Sequence, residues 1–154
     1  MSLAFEMQLA PGIGRPERSA EEELKRGLEV AVVFTSIEST AAALKSASEL
    51  ANRLSARITL LVPQVVPYPL PLTSPPVLLD FNERRFRFLA AQSPVETTVQ
   101  MYLCRDRLEA LRTVLKPHSL VVIGGLKRWW PTSEKKLAGQ LRRLGHEVLF
   151  TEME

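Results

Sequence analysis

The chain has 154 residues, a formal net charge of +3 and 45% hydrophobic residues. That fits one globular domain able to bury about two-thirds of its unfolded surface and excludes a wholly disordered or fibrous chain. Its 20 Lys and Arg are interspersed with 17 Asp and Glu, so no clustered basic face argues for nucleic acid.

No run approaches the roughly 18 apolar residues that cross a bilayer, and the start lacks the basic-then-apolar pattern of a signal peptide, so no membrane partner is expected. One cysteine, Cys104, allows no intrachain disulfide and suits a reducing cytoplasm.

Residues 1–26 contain Pro11, Gly12, Gly14 and Pro16 without a sustained period. They are expected to form an N-terminal arm, partly disordered, with a short helical turn near Glu21 to Arg26. A single domain then occupies 27–154. Val30 to Phe34 is a near-continuous apolar run, the pattern of a first strand covered on both faces.

Thr35 to Thr40 supplies N-cap residues for a first helix whose Ala43, Ala47, Leu50, Ala51 and Leu54 recur at helical spacing. Ile58 to Val66 reads as strand two. Six of the eleven prolines fall between residues 63 and 76, which predicts a loop, and Val77 to Gln92 a second helix with Leu79, Phe86 and Leu89 inward.

Val95, Thr97, Val99, Met101 and Leu103 alternate with polar neighbours, which predicts a third strand with one wetter face at a sheet edge. Asp106 and Glu109 form a capping box for a third helix ending before Pro117. Leu120 to Ile123 is a short fourth strand closed by Gly124-Gly125. Pro131 opens a last helix ended by Gly145, and His146 to Thr151 forms strand five. This alternation implies parallel βαβ units in a doubly wound, three-layer α/β/α sandwich.

Glu29 to Ser36, Ala41 to Val66, Leu120 to Gly125 and Leu137 to Phe150 together resemble a universal stress protein domain, covering roughly residues 28–151. The resemblance implies a five-stranded parallel sheet of the adenine nucleotide alpha hydrolase-like type and a homodimer. It further implies an ATP site marked by an Asp after strand one and a Gly-x2-Gly-x9-Gly-Ser/Thr stretch after strand four.

This chain departs from that pattern. The acid position is Thr35. Counting from Gly124 puts Lys127 and Leu137 at the later glycine positions, and counting from Gly125 puts Arg128 and Ala138 there. ATP binding in the family's manner is therefore not expected, and no cofactor is.

If a nucleotide such as ATP or AMP, or a small anion, does bind, the candidates are Thr35, Val62, Gly124, Gly125, Lys127, Arg128 and Thr132, because glycine amides and cations at strand ends suit phosphate. The plainer reading of Gly124-Gly125 is a turn. No catalytic or metal residues are assigned. Cys104 lacks the spacing of a thiolate enzyme, His118 and His146 match no triad or metal set, and Ser36 and Ser39 are better helix caps than nucleophiles.

Trp129-Trp130 stand where a nucleotide-binding relative has its phosphate loop, and at least one is expected to fold back over the crevice. The alternatives are packing at the helix start or an exposed anchor for a partner. The overall expectation is a cytoplasmic, non-catalytic, universal-stress-like binding module, homodimeric through its last strand, serving a protein partner or small anion. The alternative is an adenine-nucleotide-binding stress regulator with a divergent phosphate loop.

Overall fold

The structure, a computed structural model, describes residues 3–9, 28–66, 68–69, 79–91 and 93–153. In chain order the elements are β1 (Leu3–Leu9), β2 (Glu29–Val33), α1 (Ile37–Leu54), β3 (Arg57–Val65), α2 (Leu79–Ala91), β4 (Thr97–Cys104), α3 (Arg107–Val114), β5 (Leu120–Leu126), α4 (Ser133–Arg143) and β6 (Glu147–Met153). All strands pair in parallel, in the order β1-β4-β3-β2-β5-β6.

The five-stranded parallel sheet expected from the sequence is present as β4-β3-β2-β5-β6. Two expectations need correction at its rim. Leu3–Leu9, read as part of an irregular arm, is a sixth strand in register with Thr97 to Leu103. That pairing removes β4 from the sheet edge, and β4 is buried along nearly its whole length instead of wet on one face. Two polar side chains on β4 are buried and bonded: Gln100 accepts a hydrogen bond from Tyr102 Oη at 2.6 Å, and Thr97 Oγ1 donates to the Val95 carbonyl. The proposed turn at Glu21 to Arg26 and the prolines at 67, 71, 75 and 76 lie outside the described residues.

Helices cover both faces because the central strands carry apolar residues on both sides. Val30, Val32, Ile58, Leu60, Val99 and Met101 point to the layer of α1 and α2, where they meet Ala43, Ala47, Ala51, Phe86 and Leu89. Ala31, Val33, Leu61, Tyr102, Val121 and Ile123 point to the opposite layer and pack with Leu111, Leu137 and Leu141 of α3 and α4. Pro63 is tolerated inside β3 because β2 pairing stops at Leu61, leaving that stretch bonded on one side only.

Local signals set the helix ends. Ser36 caps α1 by accepting from the Ser39 amide at 3.2 Å, and Asp106 caps α3 by accepting from the Leu108 and Glu109 amides. Gly145 at φ +98 turns the chain out of α4, a conformation that glycine adopts without a Cβ penalty.

Candidate functional site

Chain order reverses direction between β2 and β5, because β2 leads outward through α1 to β3 whereas α3 carries the chain back across to β5. Ligands of open α/β sheets sit at the carboxyl ends of strands at such a switch point. Here that crevice is filled. Gly124 and Gly125 do not close β5 as a turn; they continue it, opposite Thr151 and Glu152 of β6. A Cβ on Gly124 would lie 2.0 Å from the Ser39 carbonyl oxygen and 3.3 Å from the Ala43 Cβ, so the first turn of α1 sits directly on the strand. On the other face a Cβ on Gly125 would lie 2.5 Å from the Phe150 ring. Both glycines serve close packing, the second use of a glycine besides backbone freedom.

Thr35 spans the same point. Its Oγ1 donates to the Gly124 carbonyl at 3.0 Å, and its amide donates to Thr40 Oγ1 at 3.0 Å. An acid here would put a carboxylate against a carbonyl oxygen that only accepts, so the threonine suits a closed crevice. The Lys127 amide donates to the Met153 carbonyl at 2.6 Å, which commits it to the sheet.

Thr132 is the N-cap of α4, its Oγ1 accepting from the Lys135 amide at 3.2 Å. The helix therefore begins at Ser133, two residues beyond Pro131. Val62 is buried in the core beneath α1 and α2, and Lys127 and Arg128 are exposed. The structure thus brings Thr35 and Gly124 into contact, while Gly125 packs on the opposite face, Val62 lies in the core and Lys127 and Arg128 are exposed.

The tryptophans do not fold back over this crevice. Trp129 is 91% exposed and Trp130 48%, and they meet edge to face with centroids 5.4 Å apart. The Arg128 guanidinium lies 5.8 Å from the Trp130 ring centre. The expectation that at least one is substantially buried is not met. They instead wall an outward-facing hollow of about 510 Å3 with Pro131, Lys136, Gly139 and Arg143. Sequence reasoning singled out the tryptophans and missed Gly139, whose position inside a helix carrying Lys135, Lys136, Arg142 and Arg143 is the available signal. A second hollow, of about 710 Å3, lies between α1 and α2 over Ala41, Leu44, Ser48, Leu89 and Val95.

Cys104 is buried, with its Sγ 3.7 Å from the Gln64 carbonyl. Burial, reinforced by the Asp106 carboxylate and opposed by Arg107, pushes its pKa up to about 11. His146 is buried and accepts from the Ser119 amide through Nδ1 at 3.1 Å. Burial, then the neighbouring His118, pulls its proton affinity below the usual histidine range. His118 Nδ1 donates to the Gly145 carbonyl at 3.2 Å. Both rings tie the α4–β6 turn to the start of β5. Among the described residues no group of three His, Cys, Asp or Glu is placed to hold a metal ion, and no helix is long and apolar enough to cross a membrane.

No protein-family model and no curated protein sequence matches the chain. Solved structures do. A universal stress protein in complex with cAMP superposes with a TM-score of 0.54 at 14% identity, covering 84% of this chain and 99% of that one. A protein from the universal stress protein family from Burkholderia pseudomallei gives 0.52 at 24% identity, over 79% of this chain and 93% of that one. This chain has the universal stress protein fold. A macrolide-efflux protein from Streptococcus pneumoniae also aligns, with a TM-score of 0.55 at 16% identity, over 97% of this chain but 58% of its own length. At such identities the universal stress protein likeness concerns the path of the backbone; ligands are decided by the side chains described above.

Proposed function

We propose that this chain is a non-catalytic, universal-stress-like interaction module that does not take ATP at its switch point and acts in the cytoplasm as a homodimer. The carrying observation is the contact of the Ser39 carbonyl with Gly124, which fills the place where a phosphate would need open glycine amides. The Thr35 bond to the Gly124 carbonyl and the commitment of the Lys127 amide to Met153 support the same reading. The buried, high-pKa thiol of Cys104 and the structural bonds of His118 and His146 support the non-catalytic reading for these three residues.

The second reading, an adenine-nucleotide-binding regulator, is favoured by one observation: a neighbour in fold binds cAMP. Thermal-shift titration with ATP, AMP and cAMP separates the two. A ligand that binds only the native state adds RT ln(1 + [L]/Kd), about 2.7 kcal/mol at a hundredfold excess over Kd. No rise in Tm at millimolar nucleotide is the expected result. A saturable rise that Thr35→Val alters would establish the second reading instead.

Dimerisation is supported by the edge position of β6. Val148 and Phe150 pack inward on the α4 layer and need no second copy. Among the described residues β6 ends the sheet, and its Leu149 is 45% exposed, a combination that invites strand pairing with another chain. Light scattering at tens of micromolar should report twice the 17.3 kDa chain mass. A species of single mass would remove the dimer from the proposal.

A further inference from the structure

The exposed indoles remain unused by the fold and by the switch point. A tryptophan side chain in water forgoes a large apolar stabilisation, and a contiguous apolar patch rimmed by charge is a usual mark of an interaction site. Trp129, Trp130 and Pro131 form that patch, and the outer face of α4 continues it as a hollow.

Two features give the hollow a chemical character. Gly139 forms part of its floor in the middle of α4, where glycine costs about 1 kcal/mol of helix stability relative to alanine. No packing reason requires it: a Cβ there meets nothing within 4 Å. The missing side chain leaves room for an incoming group.

The rim is cationic. Lys136 and Arg143 line the hollow and are exposed, and neither side chain has an ion-pair or hydrogen-bond partner among the described residues. Lys135 is drawn toward Glu152 at 4.0 Å and the Arg128 carbonyl. Among the described residues no acid lines the hollow, and Glu152 is engaged with Lys135.

We propose that this surface docks an acidic segment of a partner protein, inserting one aromatic or large aliphatic side chain between the indoles and Gly139 while its carboxylates meet Lys136 and Arg143. Tryptophan and arginine at the centre of a desolvated pocket are the commonest energetic anchors of protein interfaces. A volume of about 510 Å3 accommodates one such side chain with its flanking backbone. Concavity favours an inserted side chain over a flat bilayer, and two edge-to-face indoles do not form the row of stacking platforms that tracks a single nucleic-acid strand. The proposal deepens the reading of the chain as an interaction module and is independent of what happens at the switch point.

The test pans a random dodecapeptide library against the full chain and measures a synthetic copy of the enriched peptide by tryptophan fluorescence. Enriched peptides should carry several Asp or Glu around one large apolar residue. Gly139→Gln fills the hollow with a good helix former, so it should weaken binding at least tenfold while Tm holds or rises, a combination that mere destabilisation cannot produce. Trp129→Ala and the Lys136→Glu, Arg143→Glu pair should each weaken binding at least tenfold, and raised salt should weaken it in the wild type.

Failure to enrich any peptide above a Trp129→Ala control overturns the proposal, as does enrichment of basic or uncharged sequences. So does an unchanged affinity in Gly139→Gln. Tighter binding, through the same residues, of a single-stranded oligonucleotide or of phosphatidylserine vesicles would assign the surface to a different partner and also overturn it. The nucleotide titration reads the switch point separately, so either proposal can fail alone.

Discussion

The Phe150 ring of β6 rests against the α-carbon of Gly125 in β5, so close that a Cβ on the glycine would lie 2.5 Å from Cζ and 3.1 Å from the Glu134 Cβ. The equivalent contact of Gly124 is with backbone, the Ser39 carbonyl at 2.0 Å. A ring can swing and a helical carbonyl cannot. Gly125→Ala should therefore cost about 1–3 kcal/mol, and Gly124→Ala about 3 kcal/mol or more. Urea denaturation checks the order, and a Gly125→Ala protein less stable than Gly124→Ala would contradict the packing described.

Thr35→Val keeps the shape of the side chain but removes the hydroxyl that donates to Gly124 and leaves that bond unmade. The expected loss is about 1 kcal/mol, the usual net worth of one hydrogen bond. Thr35→Asp should lose more, since its carboxylate faces the same carbonyl, and should not create ATP binding, because Ser39 still fills the crevice. Calorimetric titration of Thr35→Asp with ATP tests the second half.

With a thiol pKa near 11, only about one part in a thousand of Cys104 is the reactive thiolate at pH 8. Burial adds a steric barrier. Labelling by a disulfide reagent should run at least about 100-fold slower in the native protein than in urea. Comparable rates would show that the carboxyl end of β4 is open.

Burial first and the charge of His118 second lower the proton affinity of His146 in the fold. Its folded proton affinity lies below its unfolded one, near 6.5, so between the two values the unfolded chain binds a proton that the folded chain refuses. Stability should therefore be full above that pH and fall as pH drops through it, the loss levelling once the folded group also protonates. Protonation also removes the Nδ1 lone pair that the Ser119 amide uses. His146→Asn offers an oxygen in a similar place without titrating, and its Tm between pH 7.5 and 5 should fall less than that of the wild type. Identical slopes in the two proteins would assign the acid sensitivity elsewhere.

Much of this architecture is legible along the chain, and the reasons are local. The apolar run at Val30 to Val33 requires cover on two faces, and the structure supplies it from α1 on one side and α4 on the other. Asp106 before Leu108-Glu109, Ser36 before Ile37 and Gly145 after Leu144 each carry their conformational reason within a few residues. Element order then fixes a parallel, doubly wound sheet through the handedness of crossovers.

What failed to be legible depends on partners distant in sequence. The alternation at Val95 to Leu103 describes a half-wet strand only if nothing pairs beyond it; Leu3–Leu9, nearly a hundred residues earlier, decides otherwise. Val148 and Phe150 look like an uncovered face until α4 and Gly125 are placed against them.

The same division runs through the site. From the sequence alone came the absence of the glycine spacing and of the acid at Thr35, since motif arithmetic needs no coordinates. Why Gly124-Gly125 exists, and that it belongs to packing with Ser39 and Phe150, was decided only by tertiary structure. A glycine looks identical in sequence whether a phosphate, a turn or a neighbouring backbone needs the space. The two indoles obey the same limit. Their apolar area favours cover on physical grounds, but that they stand exposed beside α4 was decided only by the tertiary structure.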